Sequence, residues 1–264
     1  MDRDRLPRDV VRVGEGFWNI RGSFKVAGVL DIGTHASLVE RANGEFVLLD
    51  ACAMSDPILE WLDACTEHGK RLKAVLHLHP FHTLHVRAIH RRYPDAKAYG
   101  TERHRSKAPE IPWQEVKTND RELAELFGPD LDFSVPEGIE LIPTDPNLHF
   151  GSVLAFHAAS RTLHVDDTLL CVRLPWPLRT LKSHLVRLHP TLGKVLQRRA
   201  GAASEFRRWG ESLVARARGL DNLCAAHLAI LRAQDLGDTT LATRIESALS
   251  AVERTLHAHE LKYG

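Results

Sequence analysis

Four histidines lie close together in one short stretch of the sequence, and their spacing suits metal binding. They are His77, His79, His82 and His85. The apolar run Leu72–Leu76 before them predicts a buried strand, and the residues after them predict a helix. Pro80 fixes its own φ and keeps the preceding residue out of the helical region, so the chain bends here. Because neutral imidazole is the commonest metal-binding side chain, this junction is predicted to form the floor of a metal site.

A second interpretation of the same stretch is a set of hydrogen-bonded polar side chains, since the chain contains 16 histidines in all. The H-x-H-x-x-H spacing at one strand–helix junction favours metal binding, with zinc or iron as the ion. The next histidines on this segment, His85 and His90, are expected to be structural or to support the ligands.

Length and charge limit the classes of protein that fit. A chain of 264 residues, of which 44% are hydrophobic, can bury one substantial core, and we expect a single domain over residues 1–264. The 35 basic and 34 acidic residues give a formal net charge of +1. That balance argues against nucleic acid or an anionic membrane as an obligatory partner and leaves a small-molecule substrate as the expected one.

A cytoplasmic location is also expected from the sequence. Residues 1–12 are charged and lack the apolar core of a secretory signal, and no apolar run is long enough to span a bilayer. The four cysteines are scattered without C-x-x-C spacing, which favours reduced, buried thiols.

The elements that must position the histidines alternate between strands and helices. Strands are predicted at 10–13, 17–20, 25–30, 36–40, 46–49, 72–76, 96–99, 139–142, 152–156, 161–165 and 220–226. Asn43-Gly44 predicts a hairpin turn. Helices are predicted from Asp56-Pro57 to a stop at Gly69, from 82 to 92, from 204 to 218 and from 239 to 261. Such an order predicts an α/β protein with two sheets inside and helices outside, and segments 101–136 and 174–190 are expected to line the substrate pocket.

With these motifs the chain resembles the metallo-β-lactamase superfamily across nearly its whole length. The family signature H-x-H-x-D-H at a strand end is matched by His77-Leu78-His79-Pro80-Phe81-His82. Its next ligand, a histidine shortly before Gly-Ser, is matched by His149. Its bridging aspartate in a G-D-T motif is matched by Asp167, with Asp166 in place of the glycine. Its last histidine, after a late strand, is matched by His227.

The resemblance implies a four-layer αββα sandwich and two groups of metal ligands. His77, His79 and His149 would form a three-histidine zinc site with an open position, and His82, Asp167 and His227 would form a second site. Phe81 departs from the family, which has a metal-binding aspartate at this position. One or two zinc ions are therefore expected, with one tightly held ion preferred, and iron is an alternative. Asp50 or Asp166 would orient a ligating imidazole.

The same resemblance implies hydrolysis of an ester, lactone, thioester or amide bond by metal-bound hydroxide, with Asp167 orienting the nucleophile and accepting its proton. Two alternatives remain open at this point. One is a mononuclear non-haem iron oxygenase on the same fold, because two histidines and a carboxylate suit ferrous iron. The other is a metal-binding protein that has lost catalysis together with the aspartate.

Overall fold

The computed structural model describes residues 5–26, 30–173 and 184–264. The chain divides into two compact units, Met1–Asp132 and Phe133–Gly264. The expectation of one domain over residues 1–264 remains a prediction. Part of the predicted strand 25–30 and residues 174–183 of the predicted pocket segment lie outside the described residues. Within the described part of the chain, no helix is both long and apolar enough to cross a membrane.

The first unit is built on a six-stranded mixed sheet in the order β1-β2-β5-β6-β7-β8. Its strands are β1 Val10–Gly14, β2 Phe17–Gly22, β5 Thr34–Glu40, β6 Phe46–Leu49, β7 Leu72–Leu76 and β8 Lys97–Tyr99. A separate two-stranded ribbon is formed by β3 Lys25–Val26 and β4 Leu30–Asp31. The first four sheet strands pair antiparallel, whereas β6, β7 and β8 pair parallel, as the change from turns to helical connections predicts.

The hairpin predicted at Asn43-Gly44 is confirmed. Gly44 has a φ of 80°, which only glycine adopts at low cost, and β5 and β6 pair antiparallel on either side of it. Arg41 donates its backbone N–H to the carbonyl of Glu45 at 2.8 Å and closes the turn. The turn therefore brings β6, and with it the parallel strand β7 that carries the histidines, into the sheet.

Helices cover this sheet and bury apolar residues against it. They are α1 Asp56–Thr66, α2 Val86–Arg92, α3 Glu102–Lys107 and α4 Leu123–Phe127. The N-cap of α1 is Ser55, one residue earlier than the predicted Asp56, and proline follows in the first turn, where its missing N–H costs nothing. Trp61 and Leu62 of α1 pack into one cluster with Trp18 and Leu48 of the sheet, so the helix is held by burial of its apolar face.

The second unit contains a five-stranded sheet in the order β15-β14-β11-β10-β9 and a two-stranded sheet of β12 and β13. Its strands are β9 Leu131–Ser134, β10 Leu154–His157, β11 Thr162–Val165, β12 Leu169–Arg173, β13 His184–Leu188, β14 Asn222–Ala225 and β15 Ile230–Leu231. Its helices are α5 Leu192–Val195, α6 Ala202–Ala217, α7 Leu241–Ser250 and α8 Glu253–Tyr263. Phe206, Trp209 and Leu213 of α6 lie in the core cluster of this unit.

Two sequence predictions in this unit differ from the structure. The predicted strand 139–142 is reduced to a single bridge between Ile139 and Leu196, because Leu196 directly follows helix α5 and is not part of a strand. The predicted helix 239–261 is divided between α7 and α8 at residues 251–252. Ile245 of α7 and Leu256 of α8 both lie in the core cluster of this unit.

Gly138 offers a test of how tightly the second unit is packed. It has a φ of 72°, and an added Cβ would lie 2.0 Å from the backbone oxygen of Ala202 at the start of α6. We expect Gly138→Ala to lower the free energy of unfolding by roughly 2–5 kcal/mol, the sum of the left-handed penalty and overpacking. Urea denaturation measures the change. Gly237→Ala is the matched control, since Gly237 has a φ of 60° and nothing within 4 Å of its Cβ position; equal losses in the two variants would contradict the packing argument.

All four cysteines are free and buried, which confirms the expectation of reduced thiols. Burial is the main cause that raises the pKa of the Cys52 thiol from 9.0 to about 12. The thiolate population at pH 8 therefore falls by about a thousandfold, and only the thiolate reacts with iodoacetamide. Mass spectrometry of the alkylated protein should find Cys52 unmodified in the native state and modified in guanidinium chloride. Rapid labelling of native Cys52 would contradict the burial.

Candidate metal centre

His77 lies at the carboxyl end of β7, inside a buried group of aromatic rings of the first unit. Its backbone N–H donates to the carbonyl of Tyr99 at 2.9 Å, continuing the pairing of β7 with β8. Its ring Nε2 is 3.0 Å from Nε2 of His90, and its ring centroid is 5.3 Å from that of His104 and 5.7 Å from that of Trp113. Burial, reinforced by the nearby His104 and His90, holds the pKa of His77 well below its usual range. The imidazole is therefore neutral, and its Nε2 is engaged by His90.

His79 and His82 form a close pair, one on each side of the bend at Pro80. The backbone N–H of His82 donates to the carbonyl of His79 at 3.0 Å, and that of Phe81 donates to His79 Nδ1 at 3.2 Å. The two ring centroids are 4.1 Å apart, and each ring offers a nitrogen within 4.8 Å of the other. Two imidazoles at this separation can bind one ion through their ring nitrogens.

Asp50 fixes the backbone between the first two histidines of the motif. It follows β6, has a φ of 58°, and its buried Oδ1 accepts the backbone N–H of Leu78 at 2.8 Å. A left-handed conformation is unusual for a residue other than glycine and marks a constrained position. Asp50, directly after β6, therefore shapes the loop that carries His77 and His79.

Asp167 and His227 form the second close pair, and strand register explains it. β11 and β14 pair parallel with Val165 opposite Ala225, and each pair member follows its strand by two residues. The carboxyl ends of parallel strands meet at one edge of a sheet, so the two side chains converge there. His227 Nε2 lies 3.1 Å from Asp167 Oδ1, and the aspartate side chain is only 4% exposed.

Two further histidines of the second unit lie near this pair. Burial lowers the pKa of His189, Asp167 opposes that shift, and His149 and His227 reinforce it, so the four groups share one electrostatic environment. His189 follows β13, a strand that was not predicted from the sequence. The signal that could have identified His189 is its position directly after an alternating apolar run. His149 is partly exposed, and its Nε2 is hydrogen-bonded to the carbonyl of Pro146.

Asp166 lies beside Asp167 in sequence but is engaged elsewhere in the same unit. Its carboxylate is buried, and one of its oxygens lies within 4.8 Å of a ring nitrogen of His164 on β11. Adjacent residues at a strand end point to opposite sides, which separates the surroundings of the two carboxylates. Orientation of a ligating imidazole by Asp166 stays a prediction, because the imidazole near Asp166 in this unit is that of His164, which is not among the proposed ligands.

The donor atoms near these strand ends fit the metal that the sequence suggested. Zinc and ferrous iron both bind neutral imidazole and carboxylate oxygen, and these are the groups in the pairs His79–His82 and Asp167–His227. His77 also carries a neutral imidazole, but its Nε2 must leave His90 before it can bind an ion. Each pair therefore offers donor groups of the kinds that bind a metal ion.

Comparison with known proteins gives the class of fold. Neither a protein-family model nor a curated protein sequence matches the chain. Among solved structures, the metallo-β-lactamase FIM-1 from Pseudomonas aeruginosa in its mono-zinc form has a TM-score of 0.59 at 11% identity, covering 95% of this chain and 97% of that one. A metallo-β-lactamase from Erythrobacter litoralis has a TM-score of 0.56 at 14% identity, with 97% and 98% covered. One from Hirschia baltica has a TM-score of 0.55 at 15% identity, with 91% and 98% covered.

The chain therefore has the metallo-β-lactamase fold, and the α/β fold class inferred from the sequence motifs is confirmed. The structural neighbours are named metallo-β-lactamases, and two of their structures are mono-zinc forms. Identities of 11–15% limit the likeness to the fold.

Proposed function

We propose that this protein is a metal-dependent hydrolase that cleaves an ester, lactone, thioester or amide bond of a small molecule. His79, His82, Asp167 and His227 are the proposed ligands. The observation that carries the proposal is the presence of two preformed donor pairs. One pair follows β7, and the other lies at the carboxyl ends of β11 and β14. His79 and His82 have ring centroids 4.1 Å apart, and Asp167 and His227 are 3.1 Å apart.

His77 and His149 remain further proposed ligands, as the resemblance implies. The contact of His77 Nε2 with His90 favours the two pairs over the three-histidine set as the stronger binding site. Three imidazoles and one carboxylate suit zinc, and a subset of two imidazoles and one carboxylate also suits ferrous iron. One tightly bound ion remains the preferred number.

The protein's own groups have defined tasks in this proposal. When bound, zinc acts as a Lewis acid that lowers the pKa of water to near 7. The carboxylate of Asp167 orients the attacking water and accepts its proton, and His227, with its Nε2 3.1 Å from Asp167 Oδ1, lies close enough to bind the same ion. The buried setting of Asp167 strengthens these interactions because little bulk water screens them.

Elemental analysis of protein purified without chelators tests the proposal most directly. We expect about one zinc ion per chain, together with hydrolysis of 4-nitrophenyl acetate, a thioester or a lactone that dipicolinate abolishes and added zinc restores. Turnover that survives complete removal of metal would overturn it. Iron in the protein, with oxygen uptake on a thiol substrate, would support the iron oxygenase instead. Little metal and no turnover would support a protein that has lost catalysis.

A further inference from the structure

The guanidinium of Arg103 lies against the ring of Phe81, the residue at the position where the resemblance leads one to expect an aspartate. The guanidinium carbon of Arg103 is 4.2 Å from the centroid of the Phe81 ring, a distance typical of a cation–π contact. Phe81 lies between His79 and His82 in sequence, and its backbone N–H donates to His79 Nδ1 at 3.2 Å. A permanently charged group is therefore held beside the histidine pair, at the position where the resemblance leads one to expect a negative charge.

The helix that carries Arg103 is anchored on both sides of it. At its start, the backbone N–H of Thr101 donates to His104 Nδ1 at 3.1 Å, and the buried ring of His104 packs against His77. Farther along, the guanidinium of Arg105 donates to the carbonyls of Gln114 and Glu115. These contacts fix the helix and so preset the direction in which Arg103 leaves it.

The neighbouring acidic group on this helix is occupied elsewhere. Glu102 forms an ion pair with Lys117 at 3.3 Å. In the described part of the chain, Arg103 has no ion pair with a carboxylate, and its Nε is buried. Stacking on an aromatic ring holds a guanidinium by its face and leaves its edge, with the N–H donors, to bind an oxyanion in bidentate fashion.

We propose that Arg103 binds an anionic oxygen group of the substrate, a carboxylate or a phosphate, and so selects anionic substrates. This inference rests on the proposed hydrolase function, since it places the anion of the substrate beside the histidine pair. Phe81 serves as the platform that holds the guanidinium. A charge-assisted bidentate contact is expected to change kcat/KM by about 10- to 100-fold.

The kinetic test compares two esters of similar length, mono-4-nitrophenyl glutarate, which carries a carboxylate, and 4-nitrophenyl pentanoate, which does not. We expect the zinc-loaded protein to prefer the glutarate ester, and Arg103→Gln to reduce the ratio of the two kcat/KM values by about 10-fold or more. Arg103→Lys should restore part of the ratio, because lysine keeps the positive charge but lacks the planar guanidinium that binds two oxygens at once. Lys107→Gln is the matched control: it removes one charge from the exposed end of the same helix and should leave the ratio unchanged.

Calorimetric titration with glutarate and with inorganic phosphate gives a readout that does not need catalysis. We expect Arg103→Gln to weaken binding of the preferred anion by about 10-fold, and the tighter of the two anions to identify the group recognised. If the protein hydrolyses both esters equally well, or Arg103→Gln leaves their ratio unchanged, the inference fails while the hydrolase proposal stands. If no ester, lactone, thioester or amide is hydrolysed, the hydrolase proposal fails, and the effect of Arg103→Gln on anion binding alone decides the inference. Thermal melting of each variant verifies that it is folded.

Discussion

Replacing His82 by alanine is expected to weaken zinc binding by more than a hundredfold and to abolish hydrolysis. Loss of an outer-shell partner typically costs 10–100-fold in metal affinity, and loss of a ligand exceeds that range. The ring centroids of His82 and His79 are 4.1 Å apart, so removal of His82 takes away one of the two imidazoles proposed to bind the ion from this segment. The measurement is zinc affinity by competition with a chromophoric chelator, accompanied by elemental analysis.

His85→Ala is the matched control for that experiment. His85 lies three residues farther along the same segment and immediately precedes α2. It is half-buried, as is His82, and burial lowers the pKa of His85. Removing it should leave zinc affinity within about threefold of the parent protein, the scatter expected without loss of a ligand. Equal losses in His82→Ala and His85→Ala would show that general disruption of the segment, rather than ligation, causes the effect.

Restoring the family's aspartate by Phe81→Asp is expected to raise the zinc content from one ion to two only when Arg103 is also replaced. A carboxylate at this position would meet the guanidinium that now lies 4.2 Å from the ring centroid. A bidentate ion pair would then occupy both carboxylate oxygens and compete with the metal. Phe81→Asp alone should therefore stay near one ion, whereas Phe81→Asp with Arg103→Gln should bind a second.

Zinc titration followed by elemental analysis of the dialysed protein distinguishes these variants. Phe81→Leu is the control, because it removes the aromatic platform without adding a donor and should keep one ion. The second ion is expected to bind more weakly than the first by a factor of about ten to a hundred, since two cations at close range repel each other. Two ions bound equally by the single and double variants would contradict the role assigned here to Arg103.

Several parts of the fold and site depend on local sequence and were predictable from it. The apolar run of β7 was predicted with its observed bounds, Leu72–Leu76, because four of its five residues are apolar, and these four are buried. The hairpin at Asn43-Gly44 follows from the conformational freedom of glycine. The bend at Pro80 that brings His79 and His82 together follows from the fixed φ of proline.

The pairing of Asp167 with His227 could be inferred only through the order of the motifs. The residues are far apart in sequence, and they meet because β11 and β14 pair in parallel register. Nothing in the local composition of either segment encodes that register, since parallel pairing depends on the long connection between the strands, which here includes β12, β13, α5 and α6. The antiparallel sheet of β12 and β13 was also missed, and with it the position of His189.

The amino-acid sequence by itself determined which donor groups the protein has and where many of its strands and turns fall, and its motifs predicted the metallo-β-lactamase fold. Tertiary structure alone decided the partners of individual side chains. It paired His77 Nε2 with His90 and placed Arg103 over Phe81. Hydrophobic period and turn chemistry act over a few residues, whereas a hydrogen bond or a stacked cation depends on atoms that approach within about 4 Å from distant segments.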